Sequence, residues 1–176
     1  MQHVRPQPQP QRRSDRGSHE ATSPRLVFAW EHFRAIAPAL KKLWVQHYHE
    51  IALDQDVCPL DPNWDYYHQI DECGILHILT ARYNGHLAGY VFNLVAGHNH
   101  YQSTRFAVTD MFWLHPRFRK GWEPVRMFQE NTKGLRLREV EVSIVNFKLT
   151  YKDGRVGRLF ERLGYEPTDL VMRKVL

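Results

Sequence analysis

Cysteine is scarce in this 176-residue chain. Cys58 and Cys73 are too few for a disulfide framework, so a reducing, cytoplasmic setting is the expectation and both thiols read as small apolar groups. No apolar run approaches the roughly 20 residues that a membrane-spanning helix needs. Residues 1–24 lack the apolar stretch of a secretory signal. Internal repeats are missing, and so is any Cys/His cluster at metal-site spacing: the pairs His47/His49 and His98/His100 want a third and fourth ligand. Strong charge of one sign is also lacking. The net charge is +5, and up to residue 25 five arginines (Arg5, Arg12, Arg13, Arg16, Arg25) stand against Asp15 and Glu20. That segment carries +3, which leaves +2 for the remainder, a poor case for nucleic-acid binding.

What is present divides into an arm and a domain. Residues 1–24 are rich in Pro, Gln, Arg and Ser, and Pro6, Pro8 and Pro10 favour an extended chain that buries too little to fold alone. Such a basic arm is expected to contact a protein partner or a larger assembly. From residue 25 the pattern alternates between strand and helix periods. Residues 25–30 read as a strand, and 31–53 as a helix that Pro38 kinks or splits. After a loop at 54–62, Asn63 caps a second helix that Gly74 stops. Asn84-Gly85 joins residues 75–83 and 86–95 as a hairpin, because both turn positions need positive φ. A polar loop at 96–104, a strand at 105–114, a helix at 123–135, a strand at 139–148, a helix at 156–163 and a strand at 170–176 complete the order. This is an α+β plan with a locally parallel strand pair.

Three stretches give this order a family likeness. Ala81-Arg-Tyr-Asn-Gly-His-Leu-Ala-Gly-Tyr-Val91, Asp110-Met-Phe-Trp-Leu-His-Pro-Arg-Phe-Arg-Lys-Gly121 and Leu159-Phe-Glu-Arg-Leu-Gly-Tyr165 resemble the second and third strands, the fourth strand with its cofactor loop, and the closing helix of GNAT N-acetyltransferases. The style is also similar to GNAT-like genes of tailed bacteriophages. The resemblance covers residues 25–176. It implies a mixed, mostly antiparallel sheet with splayed parallel central strands flanked by helices, and acetyl transfer from acetyl-CoA to a primary amine on a protein or small molecule. The pantetheine arm would bond to the open strand edge at Phe112, Trp113 and Leu114. The pyrophosphate would meet the next helix N-terminus through Arg119, Lys120, Gly121 and Trp122.

Within that likeness several positions depart from the pattern. Trp122 and Pro124 replace two small residues of the phosphate loop, Pro124 offers no amide hydrogen, and Glu123 repels phosphate. Arg117, Arg119, Lys120 and Arg126 are expected to compensate by charge. Phe160 stands where the family often has a tyrosine acid, and Asp153 where it often has an asparagine. Tyr151 or Tyr165 is then the expected proton donor. Asp110 reads either as general base for the amine or as a strand-end carboxylate bonded to backbone or solvent. His98, His100 and Tyr101 read as lining a substrate mouth or partner surface, and Lys148 as an exposed strand end or an anion contact. Set beside the enzyme reading is a second one, a catalytically weak or silent module docked by its arm to a virion or host component.

Overall fold

The computed structural model describes residues 25–148 and 154–175, so the expected arm at 1–24 and the assignments to Tyr151 and Asp153 lie outside the described residues. Five strands form one sheet in the order β1 (Val27–Glu31), β2 (Leu76–Tyr83), β3 (His86–His98), β4 (Tyr101–Leu114) and β5 (Val142–Val145). Neighbouring strands from β1 to β4 are antiparallel, and β4 pairs with β5 in parallel. Helices α1 (Phe33–Ile51) and α2 (Trp64–Glu72) cover one face; α3 (Glu123–Arg136) and α4 (Arg155–Arg162) cover the other.

The strand period of two sorts side chains between these layers. Ile78, Tyr90, Phe92 and Trp113 meet Phe33, Ile36, Leu40 and Trp44 of α1, which recur at helical spacing. Leu79, Val91 and Leu114 meet Met127 and Phe128 of α3 and Phe160 of α4. Pro38 leaves α1 continuous. It lies on the exposed side, where water can reach the Arg34 carbonyl that its missing N–H leaves unpaired. No side chain of its own caps α1; instead Asp71 of α2 accepts the Phe33 amide at 3.0 Å. Asn63 caps α2 through the Tyr66 amide at 3.0 Å, as its position predicts.

Four expectations change. The polar stretch at 96–104 belongs to β3 and β4, with a tight turn at Asn99 and His100. This ribbon projects beyond the core, so its polar side chains suit strands, and His98, Tyr101 and Phe106 pack their rings across it. The strand expected at 139–148 shrinks to Val142–Val145, because Glu139 takes a left-handed φ of 58° and the chain leaves β4 after Val145. Residues 170–175 form no strand. Leu170, Val171 and Met172 are 72%, 81% and 83% exposed, and short β5 offers them no long edge. Finally, both cysteines are free and exposed rather than packed as apolar groups, since they lie in the α1–α2 loop and at the end of α2.

Candidate functional site

The parallel pair is joined only where Phe106, Ala107, Val108 and Thr109 face Val142, Ser143, Ile144 and Val145. β4 then runs on for residues 110–114 with no strand on that side among the described residues. The result is a wedge, open between the end of β4 and the chain that follows β5.

The wedge opens at a β-bulge. Phe92 pairs with Met111 and Asn93 with Thr109, so Asp110 is the extra residue on β4. The bulge is held from behind by a buried network. Asn93 Nδ2 donates to Asn131 Oδ1 of α3 at 2.9 Å and to the His77 carbonyl at 3.2 Å, while Thr109 Oγ1 donates to Asn93 Oδ1 at 3.1 Å. All three side chains are buried, so each bond replaces water that cannot reach them. Beyond the bulge, Asp110 and Met111 both approach the α1/α2 layer: Met111 packs in its core and the Asp110 carboxylate interacts with the Tyr67 hydroxyl. Asp110 as a residue retains water contact, but its carboxyl group has lost enough to be raised above the ordinary carboxylate range, with the Tyr67 hydroxyl opposing. Burial, joined by the Asp110 charge, pushes the Tyr67 phenol up to about 12.

Farther along the open edge, Trp113 and Leu114 are buried and Phe112 lies half-buried between Phe128 and Phe160. Their side chains belong to the core, which leaves backbone groups as what this edge can offer a ligand. Gly89 makes the close pairing possible there: a Cβ would stand 2.8 Å from the Trp113 carbonyl oxygen.

Arg119 turns away from the loop expected to hold phosphate. Its Nε donates to the Leu114 carbonyl at 2.6 Å, its Nη2 donates to Glu50 Oε2 at 2.6 Å, and its Nη1 also bonds Glu50. Trp113 Nε1 donates to the same carboxylate at 3.0 Å. Burial pushes the Glu50 carboxyl up, but the bonds from Arg119 and Trp113 outweigh it and hold the group below its usual range. Nearby, His47 Nδ1 lies 2.8 Å from the Tyr90 hydroxyl, and burial lowers the imidazole to about 4, helped by the charges of Arg119 and Lys148 and opposed by Glu50.

The start of α3 is equally committed. Arg126 Nη1 donates to Glu123 at 2.6 Å, its Nη2 to the Leu26 carbonyl at 3.4 Å, and its guanidinium lies 5.2 Å from the Phe28 ring centre. Arg126 is therefore not the compensating charge that the sequence suggested, and Arg117 lies against the Tyr83 and Phe118 rings. Lys120 and Gly121 are exposed, Gly121 with φ 76°, and the Trp122 ring is 76% exposed instead of blocking the backbone. Phe160 is packed among Phe112, Phe128, Phe147 and Tyr165. The Tyr165 hydroxyl lies 3.2 Å from Ser143 Oγ.

Sequence reasoning did not find Glu50, Tyr67 and Asn93 as parts of this region. Asn93, a polar residue inside an apolar strand, was the one readable signal. The fold matches solved structures. The described fold superposes on a ribosomal-protein-alanine N-acetyltransferase from Brucella melitensis biovar Abortus 2308, with 19% identity, TM-score 0.63, and 86% of this chain and 100% of that chain covered. An aminoglycoside acetyltransferase from an uncultured soil metagenomic sample gives 14% identity, TM-score 0.68 and coverages of 86% and 99%. The fold is the GNAT acetyltransferase fold. A predicted acetyltransferase from Clostridium acetobutylicum with acetyl-CoA shares it at 10% identity, TM-score 0.62, covering 86% and 96%. No family model and no curated protein matches the amino-acid sequence. Among the described residues no helix is long and apolar enough to cross a membrane.

Proposed function

We propose that the chain is an N-acetyltransferase that moves the acetyl group of acetyl-CoA to a primary amine. The observation that carries this reading is the wedge: a parallel pair joined over four residues and then parted, with a bulged carboxylate at the fork. The open edge at residues 110–114 suits the amide-bearing pantetheine arm, which would add to it as a strand does. For the diphosphate the fit is thinner. Lys120 and the backbone around Gly121 are available, whereas Arg119 and Arg126 are held elsewhere and Pro124 has no amide hydrogen. The thioester supplies an activated acyl carbon; the protein supplies position, proton transfer and amide donors.

In this scheme Asp110 takes a proton from the acceptor ammonium, and the freed amine attacks the thioester carbonyl. Amides of the open edge hold the developing oxyanion, the new C–N bond forms, and the C–S bond breaks. As the intermediate collapses the nitrogen gives its second proton to water, Tyr151 gives a proton to the departing thiolate and regains one from that water, and Asp110 returns its proton to solvent. The raised Asp110 carboxyl supports its role, because a base works best with a pKa drawn toward the operating pH.

Titration of the melting temperature with acetyl-CoA tests this directly. A hundredfold excess over the dissociation constant corresponds to about 2.7 kcal/mol of added stability. A clear upward shift, with thiol release when an amine is added, is the expected result; no shift at millimolar acetyl-CoA overturns it. A second reading is supported by Arg119, Arg126 and Phe160: charges bound internally and a packed phenylalanine suit a silent binding module docked by residues 1–24, in a virion or host setting. On that reading, deleting residues 1–24 abolishes assembly and leaves the melting temperature unchanged.

A further inference from the structure

Between the C-terminal half of α1, the loop before α2 and β4 lies a cavity of about 330 Å³. At roughly 30 Å³ per water it has room for about eleven waters, or a ligand of on the order of ten to fifteen non-hydrogen atoms. Its walls are flat and apolar: Trp44 and Tyr67 present rings, and Met111, Leu60 and Pro62 fill between them. Trp44 and Tyr67 are held rigidly, with ring centres 5.2 Å apart and Trp44 stacked on Trp64 at 5.0 Å. Met111 and Tyr67 bring the cavity to the Asp110 bulge, since Asp110 precedes the one and faces the other.

Lys148 also lines this cavity. Just beyond β5, it reaches across the wedge to donate to the Ile51 carbonyl at 2.8 Å. It is half-buried, and no carboxylate among the described residues lies within ion-pair distance of it. An ammonium has three donors and loses hydration when half-buried, so this one is suited to an anion from outside. Asp61 is the carboxylate on the lining, and it is exposed. One acid and one ammonium around flat apolar walls make a poor receptor for a polycation.

Resting on the acetyltransferase reading, we propose that this cavity takes a small primary amine built on a flat apolar body and carrying an anionic group, with the amine at Asp110 and the anion at Lys148. Calorimetric titration of the full chain with 4-(2-aminoethyl)benzoate, phenethylamine and kanamycin tests it without requiring turnover. The benzoate is expected to bind at least tenfold more tightly than phenethylamine, and kanamycin more weakly than either. Lys148→Met is expected to bring the two aromatic amines within about twofold of each other, mainly by weakening the benzoate, while Lys148→Arg keeps most of the preference. Equal binding of the two by the unaltered chain, a preference that survives Lys148→Met, or kanamycin binding tightest overturns the proposal. Acetyl-CoA binding and thiol release are read separately. A benzoate preference without thiol release supports the ligand class and defeats transfer; thiol release with kanamycin alone does the reverse.

Discussion

On the α1/α2 flank of the wedge, Asp110 stands beside Tyr67 at the edge of a cavity, and Lys148 lines that cavity with no carboxylate partner among the described residues. On the α3/α4 flank, Arg126 is bound to Glu123 and Leu26, and Phe160 is walled in by four rings. Arg119 has crossed from the loop before α3 to Glu50 of α1. Polar groups positioned to meet a ligand are thus concentrated where the acceptor would sit, while two of the arginines that would hold a diphosphate, Arg119 and Arg126, are bonded within the protein. In the proposed reading, such a fold keeps its acceptor pocket while the diphosphate loop changes, because the edge offered to pantetheine is backbone.

The sharpest way to break this contrast is Asp110→Asn. In the proposed reaction it should lower kcat/KM by about 10²- to 10⁴-fold, the usual worth of a general base, with little change in melting temperature. In the same scheme the unaltered chain should lose activity as pH falls through the Asp110 pKa, at a higher pH than an ordinary carboxylate would give, and the variant should lack that limb. An unchanged rate would remove Asp110 from the chemistry. On the other flank the balance should invert. Phe160→Ala should cost about 3–5 kcal/mol in denaturant unfolding, because a cavity opens among the rings, while turnover of the folded fraction stays near normal. A large loss of turnover without destabilisation would instead make Phe160 part of the site.

His47 extends the comparison to pH. Its folded pKa of about 4 lies below the unfolded value of 6.5, so the neutral form belongs to the fold. The stability it contributes is present above pH 6.5 and is lost as pH falls toward 4, by about 3 kcal/mol in all. Unfolding free energies should show that slope between pH 6.5 and 4.5, and His47→Gln should flatten it. Parallel slopes in the two proteins would show that His47 keeps its charge.

Local chemistry made much of this legible in the sequence. Asn84-Gly85 is a turn because both residues tolerate the positive φ it needs, Asn63 a cap because of one side-chain oxygen, and α1 a helix because Phe33, Ile36, Leu40 and Trp44 share a face. The site was less legible, because its decisive contacts span the chain. Asp71 reaches α1 across 38 positions and Arg119 reaches Glu50 across 69. The bulge at Asp110 depends on how β3 is registered against β4, which neither strand encodes alone. Residues 170–176 show the opposite failure: their composition suits a strand, yet a strand also needs an edge to join, and through residue 175 none is used.

The smallest expected effect bears most directly on the contrast between flanks. Glu50→Gln keeps an acceptor for Trp113 Nε1 but removes the charge that holds Arg119. Both side chains are partly exposed, at 27% and 35%, so the pair is worth little to stability, on the order of 1 kcal/mol or less. Released from Glu50, Arg119 can swing back toward the start of α3 and meet the diphosphate as a bidentate donor. Coenzyme A should then bind about three- to tenfold more tightly to Glu50→Gln than to the unaltered chain, measured by calorimetry. The gain should vanish in the double variant with Arg119→Met. If Glu50→Gln leaves the affinity unchanged, Arg119 is a structural strut of the β4 end and takes no part in holding the diphosphate.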